Sequence, residues 1–381
     1  MSSHALLAPS AAHRWINCPP SARLEATIED KGSAYAEEGT VAHELAEIRL
    51  AVKFGLISNY DHWKRLKKIR ATEYYSEEME EYVDEYIELV LDIYEKCKDP
   101  FAEVEVKLDL SKYVPESFGS CDATIVDDGV LYIFDLKYGK GVSVQAEGNS
   151  QLKLYALGAY NRYKAVYDIE KIKMYIVQPR KTGISVSELL PGELTDWAES
   201  IVRPAAELAY KGEGEYNPGP ETCRFCKASA ICKKRAEFFK EKADKYLGAV
   251  LTPEEMGETL KELEGIETWL ANLKAALESK LLSGEVVKGW KIVAGRSNRK
   301  YTDEAAIAEA LKAEGIDDFY QPRKILTITN MEKRLGKKVF NRVVRPYVIK
   351  PEGKPTLAEE SDKREALNIR ENIINAFDEE K

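Results

Sequence analysis

The stretch from Phe101 to Tyr155 constrains the fold more than any other part of the chain. Phe101-Ala-Glu-Val-Glu-Val-Lys-Leu-Asp-Leu110 is an extended run, and Gly119 to Asp127 is another. Asp128-Gly129 joins the second run to Val130-Leu-Tyr-Ile-Phe-Asp-Leu-Lys137. Alternating apolar residues on both sides of Asp-Gly predict a hairpin, because a two-residue turn of this kind needs positive φ at both central positions. Side chains at i and i+2 share a strand face, so Asp135 and Lys137 point the same way, with Asp122 one strand away. After a glycine-rich loop, Gln151-Leu-Lys-Leu-Tyr155 opens a predicted helix that places Gln151 and Tyr155 one turn apart on one face.

Two carboxylates suit a hard cation such as Mg²⁺ or Mn²⁺, which lowers the pKa of a bound water and offsets charge on a phosphate. A lysine beside them can orient the water or stabilise developing negative charge. Asp-x-Lys alone is a weak signal, since a cross-strand ion pair produces the same pattern. The order Gly-x-x-Asp, short turn, apolar strand, Asp-x-Lys, glycine-rich loop, Gln-x-x-x-Tyr is much more specific.

Upstream, Gly39-Thr40-Val-Ala-His43-Glu-Leu-Ala-Glu47 predicts a helix starting near Thr40, with Thr40 as its N-cap and His43 and Glu47 on one face. By itself a lone helical histidine is more often packed or solvent-facing than a ligand. Glu73 to Lys98 is a long amphipathic helix whose glutamates form a solvated face rather than a metal site. Beyond the central stretch, Lys171–Gln178 is a further strand, Ile184–Leu189 an edge strand and Thr195–Tyr210 a helix.

These motifs together resemble the RecB-type branch of the PD-(D/E)XK nuclease superfamily, and especially a phage and prophage nuclease-like family of uncharacterised function. Gly-Thr-x-x-His is matched by Gly39, Thr40 and His43, Gly-x-x-Asp by Gly119 and Asp122, Asp-x-Lys by Asp135 and Lys137, and Gln-x-x-x-Tyr by Gln151 and Tyr155. The resemblance covers roughly residues 10 to 240. It implies an α/β, restriction-endonuclease-like core, a mixed sheet flanked by helices. His43, Asp122, Asp135 and the Leu136 carbonyl would hold the metal and Lys137 would assist the water. Gln151 and Tyr155 would support the lysine and the DNA backbone.

Cys223-x-x-Cys226-x5-Cys232 follows a Pro/Gly loop and has metal-ligand spacing, with Cys18 beside Pro19-Pro20 as the best fourth ligand. AddB and the CRISPR-associated RecB-like exonucleases have a similar layout, one cysteine before the core and three after it. That resemblance implies a [4Fe-4S] cluster stapling a helical flank to the nuclease domain; structural Zn²⁺ is the alternative, because thiolate ligands alone do not separate the two. Cys97 and Cys121 lack such spacing and read as structural.

The composition changes near Val250, so residues 1–248 are assigned to the nuclease-like domain and 249–381 to an α+β accessory region. Met256, Leu260, Leu263, Ile266, Leu270, Leu273, Leu277 and Leu281 predict one long amphipathic helix, packed on a neighbouring domain or forming a dimer seam. Val286–Tyr301 suggests a strand and basic loop, and Asp303–Glu314 and Thr329–Phe340 suggest helices. From Gly284 to Lys350 there are 15 Lys/Arg against 8 Asp/Glu, although the 381-residue chain carries a net charge of -9. Arg296, Arg299, Lys300, Arg323, Lys324, Lys333, Arg334, Lys337 and Lys338 either contact phosphates or form a solvated surface.

No run of 18 apolar residues is present, and the first residues lack a signal-peptide pattern, so a cytoplasmic protein without a membrane span is expected. The leading reading is a metal-dependent DNA exonuclease serving phage or prophage recombination or replication. DNA is the partner, and the resemblance brings in a phage single-strand-binding or annealing protein and leaves homo-oligomers open. The competing reading is a non-cleaving DNA-binding or assembly factor on the same fold.

Overall fold

Asp128 and Gly129 turn the chain with φ of 47° and 80°, the two positive values that a tight hairpin between right-twisted strands requires. In this computed structural model, residues 5–28, 32, 34–181, 183–244, 251–293 and 327–348 are described. The chain divides into two units, Met1–Val293 and Ala294–Lys381.

The first unit begins with helices α1 (Ala12–Asn17), α2 (Ser21–Glu25), α3 (Ala34–Lys53), α4 (Asn59–Ile69) and α5 (Glu77–Lys96). Strands β1 (Phe101–Asp109), β2 (Phe118–Asp127) and β3 (Val130–Leu136) follow, then α6 (Ser150–Tyr163), β4 (Lys171–Gln178) and β5 (Gly183–Leu189). The five strands lie in sequence order in one mixed sheet, antiparallel throughout except for the parallel β3/β4 pair that α6 connects. Next come α7 (Pro191–Trp197), a π turn at Ala198–Val202, α8 (Arg203–Lys211) and the single-turn α9 (Pro220–Cys223). The unit closes with α10 (Lys233–Asp244), α11 (Pro253–Glu262) and α12 (Ile266–Leu282).

Helices cover both sheet faces. One core joins α6 to Leu108, Leu131, Ile133 and Met174, and takes in Leu7 and Trp15 from the N-terminal arm. The other joins α3 and α5 to Ala123, Ile125, Phe134 and Leu136. Caps match the local sequence: Ser76 accepts from the Met79 amide at the start of α5, and Asn149 accepts from the Leu152 amide at the start of α6.

Strict side-chain alternation breaks in β1 and β2 at the same level. Glu103 and Thr124 reach Tyr163 on the α6 side. Val104 and Ala123 then pack on the α3–α5 side, yet Val106 and Cys121 are back on the α6 side. The slip falls at Glu105, whose φ is 46°, and at Asp122; the ladder pairs Val104 with Ala123 and Val106 with Cys121. A locally irregular ladder of this kind re-aims side chains.

Several sequence expectations need correction. Thr40 lies inside α3, and its hydroxyl donates to the Ala36 carbonyl 3.0 Å away, so it does not cap the helix. The long helix after Thr252 is two helices: a Thr252/Glu255 capping box starts α11, and Gly265 at φ 81° separates it from α12. Hydrophobic periodicity cannot detect such a break, because the pattern resumes in phase. Residues 285–293 form no strand, and Trp290 is exposed. In the second unit, α13 (Ile328–Val343) is capped by Thr327 and kinked at Gly336. The predicted helix over 303–314, the loop residues Arg296, Arg299 and Lys300, and Arg323 and Lys324 lie outside the described residues. Among the described residues no helix is long and apolar enough to cross a membrane.

Candidate metal centre

Pairing between β2 and β3 ends at Ala123/Phe134, and beyond it the strands separate. Asp122 fills the fork. Its Oδ2 accepts the Leu136 amide at 2.6 Å, a donor that lies beyond the last β2/β3 pair. Its Oδ1 lies 3.1 Å from His43 Nδ1, carried in by α3. Leu136 therefore joins the site through its N–H.

The phase slip brings Glu105 to the same place. His43, Glu105 and Asp122 each offer a ligand atom, and these atoms all lie within 4.8 Å of one another. Glu105 is the functional candidate that sequence reasoning missed. Simple alternation groups it with Glu103, Lys107 and Asp109 on one face, where it reads as solvated. Its position opposite Asp122 follows only from the ladder register.

Asp135, only 2% exposed, stands behind this triad. Lys137 Nζ lies 3.1 Å from its Oδ1 and 2.8 Å from its Oδ2, and donates to Gln151 Oε1 at 2.9 Å. Gln151 in turn donates to the Tyr155 hydroxyl at 3.0 Å and, more distantly, to Asp135 Oδ1 at 3.4 Å. The predicted Asp135, Lys137, Gln151 and Tyr155 thus form one connected chain. Gly119 gives Tyr155 its place: a Cβ there would meet Pro9 Cγ at 2.6 Å and Tyr155 Cε1 at 2.9 Å. Glu47 is held in a bidentate pair with Arg65, at 2.8 and 2.7 Å, and does not join the triad.

Three carboxylates crowd one partly buried volume. Burial, then the Asp122 charge, pushes Glu105 up to about 7. Burial also raises Asp135, against the opposing pull of Lys137. Burial disfavours the Asp122 anion too, but His43 and the Leu136 amide outweigh it and hold that carboxyl below its ordinary range. For His43, burial works against the cation, and the Asp122 carboxylate overcomes it and moves the imidazole up to about 9.

The donor set fits a hard divalent cation: an imidazole and two carboxylates converge, and a third carboxylate, Asp135, lies nearby with both oxygens on the Lys137 ammonium. The triad opens onto a cleft of about 440 Å³ along α3, lined by Gly39, Thr40, His43, Glu44, Glu47 and Glu105. Space above Gly39 is empty, so its missing side chain leaves the cleft floor open.

The structure also gathers the four predicted cysteines. Cys18, Cys223, Cys226 and Cys232 line one small cavity of about 20 Å³. Polar links draw the N-terminal arm onto this region: Asn217 N–H donates to Cys18 Sγ at 3.5 Å, Lys227 N–H to Glu25 at 2.7 Å, and Arg23 to the Tyr210 carbonyl at 2.6 Å. Burial pushes the Cys226 thiol up to about 12 and also raises Cys18. Cys121 is fully buried on the α6 side, and Cys97 donates to the Ile93 carbonyl.

Residues 4–365 match a family described as "Protein of unknown function (DUF2800)". Among solved structures, the chain is similar to SSO0001 at 15% identity and a TM-score of 0.25, over 51% of this chain and 85% of that one. It is also similar to a candidate exonuclease from Eubacterium rectale at 12% identity and a TM-score of 0.33, over 65% of this chain and 90% of that one.

Proposed function

The chain belongs to the DUF2800 family, and from the residues of its own site we propose that it is a metal-dependent nuclease hydrolysing phosphodiester bonds in DNA. The observation that carries this reading is the convergence of His43, Glu105 and Asp122 beside an Asp135–Lys137–Gln151–Tyr155 chain at the fork between two strands. A structural ion pair accounts for Asp135 and Lys137 alone. It does not account for a three-ligand cluster open to a cleft.

In this reading His43, Glu105 and Asp122 hold Mg²⁺ or Mn²⁺, with Asp135 and the Leu136 carbonyl as further candidate ligands. When bound, the cation supplies an acidified water and offsets phosphate charge. The ammonium of Lys137, held by Asp135 and Gln151, orients the attacking water and stabilises charge on the phosphate oxygens. Gln151 and Tyr155 position Lys137. The RecB-type, PD-(D/E)XK motif order favours an exonuclease, and extends the reading to phage or prophage recombination or replication beside a single-strand-binding or annealing protein.

The cysteines favour a [4Fe-4S] cluster over zinc in this reading. Zn–S bonds of about 2.3 Å in a tetrahedron bring sulfurs to about 3.8 Å of each other. Among the described residues, the ligand set that closes within 4.8 Å is the His43 triad rather than the thiols. A cubane spans a wider set of thiolates.

End-labelled single- and double-stranded DNA incubated with Mn²⁺, with and without EDTA, tests the function. Metal-dependent release of mononucleotides is expected, with Lys137→Met and Asp135→Asn slower by about 10²- to 10⁴-fold. Binding without metal-dependent loss of label, or full activity in both folded variants, would refute it.

A further inference from the structure

Away from the metal centre, a cavity of about 250 Å³ lies between the cysteine loop and the start of α12. Arg235 of α10 lines it and is only 4% exposed. Its guanidinium lies over the Phe239 and Phe238 rings, at 4.3 and 5.1 Å, which offset the charge only in part. Its Nη1 is buried with no hydrogen-bond partner, and no carboxylate pairs with it among the described residues. Arginine keeps its charge in proteins, and a buried unpaired charge is costly.

The cavity has other features of an anion site. Arg235 Nη2 points toward Gly265, which starts the 17-residue α12 without a side-chain cap. The amides of Glu267 and Thr268 in the first turn have no intrahelical acceptor, and the positive end of the helix dipole faces the cavity. Trp269 forms one wall, tilted against Phe239 with ring centroids 5.1 Å apart and donating from Nε1 to the Ser229 carbonyl at 3.1 Å. Arg224 also lines the cavity, but Glu221 at 3.3 Å and Glu264 at 3.9 Å already offset its charge. Arg235 is therefore the principal anion ligand.

We propose that Arg235 and the N-terminus of α12 form a phosphate-binding site that holds a backbone phosphate of nucleic acid. A guanidinium fork matches phosphate geometry, and helix N-termini favour the same ligand. The surrounding segment suits a polyanion: residues 223–242 carry seven Lys/Arg against two Glu, in a chain whose net charge is -9. The choice of nucleic acid rests on the nuclease reading above; the site itself rests on Arg235.

The test measures DNA binding by the full-length protein in EDTA, where cleavage does not intervene, across a salt series. Arg235→Gln removes the cation. Thr268→Glu keeps the fold's packing and places a carboxylate at the exposed helix start, where it can occupy the site from within. Both variants should bind DNA about 10- to 100-fold more weakly at low salt, with a salt slope smaller by about 1. Orthophosphate should raise the unfolding midpoint of the wild type and not of Thr268→Glu. Equal DNA affinity and slope in wild type and Thr268→Glu would overturn the proposal, whether or not Arg235→Gln folds. Stabilisation by orthophosphate with DNA affinity unchanged in the variants would identify a free-phosphate site and equally overturn it. Wild-type protein that binds no DNA would overturn both this proposal and the nuclease reading; loss of cleavage alone would leave this one standing.

Discussion

Replacing Glu105 by Gln should make the metal-free protein more stable at pH 8 and abolish its response to divalent cations. Burial, and then the Asp122 charge, raise the Glu105 pKa from 4.5 to about 7. A carboxyl whose folded value is raised costs nothing below its unfolded value; the cost grows as pH rises from 4.5 and is complete above about 7. At about 1.4 kcal/mol per pH unit, that interval corresponds to an upper bound of about 3.5 kcal/mol. The cleft admits solvent and His43 shares the charge, so about 2 kcal/mol is expected. Glutamine keeps the shape and loses the ionisation, so Glu105→Gln should gain this stability at pH 8, or roughly 4 °C in unfolding midpoint, and nothing at pH 4.5. Wild type should recover it when Mn²⁺ is added, since a ligand at a hundredfold excess over its Kd contributes about 2.7 kcal/mol; the variant should not. Thermal unfolding from pH 4.5 to 8, in EDTA and in Mn²⁺, measures both effects. A variant destabilised at pH 8, or shifted equally at every pH while still responding to Mn²⁺, would refute the reasoning.

Gly119→Ala should cost about 1–3 kcal/mol in chemical denaturation, because its methyl group has no room beside Pro9 and Tyr155. On the proposed function it should also slow DNA hydrolysis through the Gln151–Lys137 chain. Cys18→Ser should weaken the hold on the N-terminal arm, seen as faster proteolysis before residue 28. On the proposed [4Fe-4S] assignment, wild type should absorb near ~400 nm and the variant should lose that band; a colourless wild type containing zinc would reverse the assignment. Raising pH through about 9 should remove the His43 contribution to stability, which is complete below 6.5 because the folded value is raised. His43→Ala should flatten the metal-free stability profile between pH 6.5 and 9.

The hairpin, the sheet that continues through β4 to an edge at β5, and the helices covering both faces were legible because alternation, the Asp-Gly turn and 3.6-residue periodicity are local signals. The placement of Asp122, Asp135, Lys137, Gln151 and Tyr155 was legible from their order along the chain. Glu105 was not. Its orientation depends on a coordinated irregularity in two strands, and alternation assigns it to the wrong company. Gly265 was misread for the opposite reason: the apolar spacing crosses it without a change of phase, although its positive φ ends the helix. Thr40 was misread because a Gly-Thr pair resembles a helix start, whereas α3 begins six residues earlier at Ala34.

The N-terminal arm has a consequence for the order in which the protein becomes itself during synthesis. Leu7, Ala12 and Trp15 belong to a core whose other members extend to Ala209, and Cys18 and Glu25 accept hydrogen bonds from residues 199 and 202 positions further on. Cys18 and Glu25 are therefore paired only after Asn217 and Lys227 have been synthesised. Until the cysteine loop has emerged, the arm lacks its hydrogen bonds from Asn217 and Lys227. Contacts of such long sequence separation also slow folding. The arm beside the candidate site thus depends for its seating on segments about 200 residues further along the chain.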